Sequence, residues 1–213
     1  MYKGVRVQIL FIIISSFLFF SCQKEIDGSI TGTGGGGGGF NPTGQKPKVG
    51  TTWTYRLYIY HQDGSLYQAF TMVHKAKSLD TLGGEPWLRI VDVNTDTTVY
   101  YLSAKTGGLY QYANSASNLF CKDPATVGDS YNTYNGGSAE NFFVRTVKDT
   151  LPTGIGDIPA NFYEGYKSTV LIDQVWYNEY AWIVRRSIYK NRSLVPPPVY
   201  YKERTLFLDD ITY

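Results

Sequence analysis

From Trp53 onward the large apolar side chains fall mainly on alternate positions, in short runs separated by turn residues. In Trp53-Thr54-Tyr55-Arg56-Leu57-Tyr58-Ile59-Tyr60 the residues Trp53, Tyr55, Leu57 and Ile59 share one face, the period of a strand with one buried side. His61-Gln62-Asp63-Gly64-Ser65 follows. Asp-Gly between two alternating runs is a hairpin signal, so Leu66 to Lys75 is expected to return antiparallel. The same reading gives a turn over Leu79 to Pro86 around Gly83-Gly84, a strand from Trp87 to Val93, a turn at Asn94-Thr95-Asp96 and a strand from Thr98 to Ser103. Lys105-Thr106-Gly107-Gly108 then leads into Leu109-Tyr110-Gln111-Tyr112, and Asn114 to Asn118 has room for one turn of helix at most. Asn135-Gly136-Gly137 marks another hairpin, followed by strands over Asn141 to Asp149, Phe162 to Ile172, Val175 to Asn178, Trp182 to Tyr189 and Tyr200 to Tyr213. Pro196-Pro197-Pro198 removes three consecutive ladder donors and is expected to form an extended connection before the last strand. With no helical period of useful length, the expected fold is all-β: one domain of meandering antiparallel strands forming a curved sheet or half-barrel, with a β-sandwich as the alternative.

A weak internal echo accompanies this pattern. Val49-Gly50-Thr51-Thr52-Trp53 and Val127-Gly128-Asp129-Ser130-Tyr131 share Val-Gly-x-[Ser/Thr]-aromatic. About fifty residues after each comes a second shared element, Tyr101-Leu102 through Gly108-Leu109-Tyr110 and then Trp176-Tyr177 through Ile183-Val184. The domain, residues 47–213, is therefore read as two related halves, 47–122 and 123–213.

The N-terminal pattern is of another kind. Lys3 and Arg6 precede an apolar run from Ile9 to Phe20 broken only by Ser15 and Ser16. A charged segment followed by a short apolar one has the form of a secretory signal, and the run is shorter than the roughly 20 apolar residues a spanning helix needs. Phe19-Phe20-Ser21-Cys22 resembles the lipobox of bacterial lipoproteins, with Ser21 as the small residue before the modified cysteine. Residues 1–21 are thus expected to be a lipoprotein signal peptide and Cys22 the lipidation site. Several acyl chains together anchor stably where a single one does not. Gln23-Lys24-Glu25 resembles the export signal that takes Bacteroidota lipoproteins to the outer face of the outer membrane, which gives the expected location. The alternative is the periplasmic leaflet. Residues 22–46, with Gly34 to Gly39 in one run, form no core and are read as a flexible tether reaching on the order of 25–30 Å.

Charge narrows the partners. The chain holds 20 Lys and Arg against 18 Asp and Glu, a formal charge of +2, but Lys3 and Arg6 belong to the leader, which holds no acidic residue. Twenty minus two leaves eighteen against eighteen, so the remainder is formally neutral and lacks the basic surplus expected of a nucleic-acid binder. Of the two cysteines, Cys121 sits in the apolar Leu119-Phe120-Cys121 and is expected to be a buried small hydrophobe. Nineteen Tyr, eleven Phe and four Trp fit pleated, half-buried surfaces first and a ligand surface second.

Ile158-Pro159-Ala160-Asn161-Phe162-Tyr163, then Trp176-Tyr177-Asn178-Glu179-Tyr180-Ala181-Trp182-Ile183-Val184, then Leu206-Phe207-Leu208, resembles a Bacteroidota-type family of outer-membrane lipoproteins to which no function is assigned. Its members carry Val-Pro-Ala-Gly-x-Phe, Tyr-x-x-Gly-x-Gly-Leu-Val and a closing strand. The resemblance implies a curved antiparallel sheet similar to the half-barrels of Lol-pathway lipoprotein carriers. Asn161 stands where the first element has glycine, and Tyr180 and Trp182 stand where the second has two. Two large rings at those positions make Trp176, Tyr177, Tyr180 and Trp182 the candidate surface for a ligand or partner.

No catalytic constellation is visible. Only His61 and His74 are available as bases, with no Gly-x-Ser-x-Gly element, and the spacing of His, Cys and carboxylates matches no metal site. Asp209-Asp210, Asp149 and Glu164 are read as strand and turn residues. The function expected is therefore non-catalytic, without cofactor or metal: a membrane-anchored binding module for a glycan or a hydrophobic ligand, or an accessory envelope lipoprotein acting through protein contacts.

Overall fold

The structure is a computed structural model that describes residues 44–135, 138–192 and 199–213, all within one compact unit, Gly32–Tyr213. Cys22, Gln23, Lys24 and Glu25, most of the tether, Gly136-Gly137 and Pro196-Pro197-Pro198 lie outside the described residues. The described residues contain no helix. They form twelve strands: β1 (Thr52–Tyr60), β2 (Leu66–Leu82), β3 (Glu85–Asp92), β4 (Thr98–Lys105), β5 (Gly107–Ala113), β6 (Ala116–Asp123), β7 (Ser130–Asn135), β8 (Ser138–Thr153), β9 (Gly156–Lys167), β10 (Val170–Asn178), β11 (Trp182–Asn191) and β12 (Tyr200–Thr212).

All twelve belong to one antiparallel sheet in the order β6-β5-β4-β3-β2-β1-β12-β11-β10-β9-β8-β7. Each half of the chain is a six-strand meander, and the pairing of β1 with β12 joins the two. The edge strands β6 and β7 come to lie beside each other, so the sheet is a nearly closed barrel and not a two-sheet sandwich. Three local expectations are corrected. Phe162 to Ile172 is not one strand but parts of β9 and β10 around a turn at Ser168-Thr169, where Ser168 takes φ +57° without the glycine that signals such a turn. Asn114 and Ser115 both have positive φ and make the tight β5–β6 turn, leaving Ala116 onward as a full strand with no helical turn. β2 runs on to Leu82, which narrows the expected turn to Gly83-Gly84.

The two Val-Gly elements fold alike. Gly50 N–H donates to Ala76 O and Thr51 N–H to Lys48 O, while Gly128 N–H donates to Val144 O and Asp129 N–H to Thr126 O. A side-chain oxygen closes each turn: Thr51 Oγ1 accepts from Lys48 N and Asp129 Oδ2 from Thr126 N. Both glycines sit at positive φ, +99° and +91°, which the shared turn demands. One turn launches β1 and the other β7.

Inward-facing residues follow the pleat. Across β8 to β12 one interior row reads Val144, Tyr163, Val175, Arg186 and Leu206, and the next reads Phe142, Gly165, Asp173, Ile188 and Arg204. A Cβ on Gly165 would lie 2.5 Å from the Phe142 ring, so a bare backbone there admits that ring to the core. A Cβ on Gly108 would lie 2.0 Å from Cys121 O, which fixes the close approach of β5 and β6.

Where the ladder fails, aromatic side chains take over. At the β6–β7 seam the Tyr131 hydroxyl donates to Phe120 O at 2.8 Å and accepts from Lys122 N at 3.4 Å, and Tyr163 donates to Lys122 O at 2.6 Å. β11 pairs with β12 only from Arg185 onward. Below that, Trp53 Nε1–H donates to Ala181 O and Tyr55 O–H to Ile183 O, both at 2.9 Å. The tip of the β8–β9 hairpin closes the gap on the β12 side, with Gly154 N–H donating to Leu208 O at 3.3 Å. An unpaired buried main-chain group costs about 1–3 kcal/mol. Tyr131→Phe should therefore lower stability by about that amount and speed amide hydrogen exchange along β6 more than along β1. Equal exchange in both strands would show that the hydroxyl does not hold the seam.

Candidate functional site

The strand directions place the two ends of the barrel. β1 begins, and β12 finishes, at the end that holds the turns at Thr106 and at 179–181, so the chain enters and leaves there. Lys46 fixes the point of entrance by an ion pair with Glu179 at 3.1 Å and by lying 5.9 Å over the Tyr180 ring. The lower interior is filled with apolar and aromatic side chains. Its void beside Trp53, Tyr55, His74 and Trp182 measures only about 10 Å³, the space of one water molecule.

Above that floor the interior turns polar. Arg186 donates through Nε to both oxygens of Asp173, at 3.1 and 3.2 Å, through Nη2 to Oδ2 at 2.6 Å, and through Nη1 to the Tyr100 hydroxyl at 2.8 Å. Its plane lies 5.2 Å from the Phe120 ring. Burial works against the Arg186 charge, but Asp173 more than offsets it and the guanidinium is held more firmly protonated than usual. Breaking such a pair by removing one partner strands a buried charge, whereas the intact pair adds little net stability. Glu140, 6% exposed, adds a second carboxylate near Arg186.

This layer is the floor of a cleft of about 510 Å³ at the end away from the point of entrance, within the range of ligand sites. Its walls carry Gln111, Lys167, Tyr189, Lys190, Tyr200 and Arg204. Gln111 Oε1 is buried and has no hydrogen-bond partner in the structure, while Tyr189 donates to Gln174 Oε1 at 2.9 Å. A second cleft, about 340 Å³, lies at the opposite end beside Lys46, Gly107, Asp123, Tyr177 and Glu179. There burial, with Glu179 nearby, raises the Asp123 carboxyl above its usual range. Among the described residues no group of three His, Cys, Asp or Glu side chains gathers to hold a metal. Cys121 is fully buried, with no disulfide partner among the described residues, and burial pushes its thiol well up.

The four aromatic residues singled out by the sequence do not meet on one surface. Trp176 is half-buried on the outer face, in a row where Phe162 stacks on it at 4.3 Å and 12° and Arg185 lies 4.6 Å from its ring and 4.4 Å from that of Phe207. The ring faces in that row are covered by their neighbours, which leaves edges and no platform. Tyr177 points inward at 3% exposure. Tyr180 lies in the β10–β11 turn, where Asn178 Oδ1 accepts from the main-chain N–H groups of Tyr180 and Ala181. Trp182, also 3% exposed, is core: it stacks on Trp53 at 5.9 Å and 26°, and its indole N–H is buried without a partner. Its φ is +62°, so it holds the left-handed conformation that glycine would adopt more cheaply.

The mouth residues escaped the sequence reading, yet two carry a signal. Asp173 and Arg186 fall on the inward parity of β10 and β11, among Val175, Tyr177, Val184 and Ile188. A charge on a core face has to find its partner inside. Lys167, Tyr189, Tyr200 and Arg204 carry no such mark and are brought together only by curvature.

Two outcomes follow from the buried aromatic end. Trp182→Ala should cost about 3–5 kcal/mol through the lost ring, and Trp182→Gly about 1 kcal/mol less because it relieves the left-handed backbone. Urea midpoints that rank the glycine variant below the alanine variant would contradict the strain. His74, 4% exposed between the rings of Tyr55 and Tyr100, is driven by burial to a pKa of about 4, against a partial upward pull from Asp92. In the unfolded chain it titrates near 6.5, so its neutral form favours the fold fully above that pH. As pH falls from 6.5 to 4 the unfolded state gains the proton first, and stability drops by about 3 kcal/mol. His74→Leu should flatten that part of the stability profile, and a slope unchanged from wild type would place the effect elsewhere.

Comparison with protein-family models, curated proteins and solved structures found no match to this chain.

Proposed function

We propose that the protein is a lipid-anchored binding module of the cell envelope, attached through Cys22 to the outer membrane and facing the exterior, with a glycan as its ligand at the barrel mouth. The observation that carries this reading is the tyrosine-walled cleft of about 510 Å³, lined mainly by side chains with polar or charged groups, over a filled core. A glycan needs hydroxyl partners and ring surfaces at a mouth. An acyl chain needs an apolar cavity, and the interior void of about 10 Å³ offers none. The direction of the chain supports the same reading, because Lys46 lies at the end opposite the cleft. With a membrane anchor at Cys22 joined at that end, the mouth is free to face away from the bilayer.

A second reading, an accessory lipoprotein acting through protein contacts, is favoured by one feature of β2. Its first part pairs with β1 from Leu66, but its pairing with β3 starts only at His74. Leu66, Tyr67 and Phe70 are exposed along that one-sided stretch, which is a template for strand addition.

Two measurements test the proposal. The mass of the protein purified from membranes should correspond to a chain that starts at an acylated Cys22. A chain beginning elsewhere would remove the anchor. In a glycan-array screen of full-length protein, binding should weaken about tenfold, near 1.4 kcal/mol, in Tyr200→Ala with an unchanged melting temperature. Absence of any glycan binding, with co-purification of a protein lost in Phe70→Glu, would favour the second reading.

A further inference from the structure

The cleft has a charge bias that a neutral sugar would leave unused. Its lining holds four cationic side chains, Lys167, Arg186, Lys190 and Arg204, against two carboxylates, Glu140 and Asp173. Arg186 and Asp173 pair through hydrogen bonds of 3.1, 3.2 and 2.6 Å within the floor, with Glu140 as a further carboxylate beside them. Lys190 is occupied by Glu203 at 2.9 Å. Arg204 has only a 3.9 Å approach to the other oxygen of Glu203, and half of its side chain is exposed. Lys167 takes part in none of the ion pairs among the described residues. Arg204 stands on the inward row of β12, and Lys167 closes β9 on the same wall of the cleft.

A second observation concerns hydrogen-bonding capacity. Gln111 Oε1 is a buried acceptor facing no donor, and a buried acceptor left unmet costs about 1–3 kcal/mol. A ligand hydroxyl would supply the missing donor, and a ligand anion would supply the charge that Lys167 and Arg204 lack. An acidic sugar chain carries both at the scale of this cleft. We infer that the mouth takes an acidic oligosaccharide, a sugar chain whose carboxylates are read by Lys167 and Arg204 and whose hydroxyls are read by Gln111. This inference rests on the glycan reading above and specifies its ligand class.

The test is titration calorimetry of the full-length protein with tetragalacturonate, a carrageenan tetrasaccharide that carries sulfates and no carboxylate, and neutral maltotetraose, each at low and at physiological salt. The acidic tetrasaccharides should bind at least tenfold more tightly than maltotetraose, with affinity falling as salt rises. Lys167→Gln with Arg204→Gln should remove most of that preference at unchanged melting temperature, since both side chains are exposed. Tighter binding of the carboxylate than of the sulfate supports the inference as stated, and the reverse order overturns the carboxylate assignment. Equal binding of neutral and acidic chains, or a double variant that keeps the preference, overturns the charge reading while leaving glycan binding intact. Failure of all three probes to bind overturns both.

Discussion

The constraint on which the structure depends is that a twelve-strand antiparallel sheet curled into a barrel still has to satisfy every buried main-chain group. Among the described residues pairing does this along most of the perimeter, and at the buried core it fails between β6 and β7 and where β11 leaves β12 below Arg185. At both, aromatic side chains with a polar tip finish the accounting. Tyr131 and Tyr163 hold the first seam, and Trp53 and Tyr55 hold the second. The abundance of tyrosine thus has a structural explanation. A phenol fills core volume and also brings one hydroxyl to a carbonyl that no strand reaches.

That arrangement also accounts for Trp182. The β10–β11 turn requires a left-handed residue, which glycine would supply, but a bare backbone there would leave Trp53 without its stacking partner. The backbone strain of a large residue at φ +62° is accepted in exchange for a ring that seals the lower core. The seal in turn sets the character of the interior along the axis. Apolar packing ends at the Arg186–Asp173 layer, and the side chains above it face water and the mouth.

The buried ion pair gives the cleft a rigid base. Arg186 is held by Asp173 from one side and by Tyr100 from across the barrel, so strands from both halves of the chain share one polar layer. The geometry of the mouth is tied to closure of the barrel: any slip of one half against the other would separate Tyr100 from Arg186 and leave polar groups unpaired in the interior.

The all-β class, the β1–β2 hairpin at Asp63-Gly64, most strand positions and the burial of Cys121 were legible in the sequence, because alternation and turn chemistry are local. The β9–β10 turn was not, since Ser168 reaches positive φ without glycine, and neither was β6, because Asn114 to Asn118 read as room for one turn of helix at most. The two Val-Gly elements were visible as an echo. Only the structure showed that they make the same hydrogen bonds. The candidate site was mostly hidden. Trp176, Tyr177, Tyr180 and Trp182 are close in sequence, but alternation and the intervening turn send them to different faces, and two of the four into the core. The mouth gathers Gln111 from β5, Lys167 from β9 and Arg204 from β12, residues far apart in the chain. The sequence by itself determined the period, and hence which side chains face inward. Which inward side chains meet at one end of the barrel was decided by the curvature and register of the closed sheet, a property of all twelve strands together.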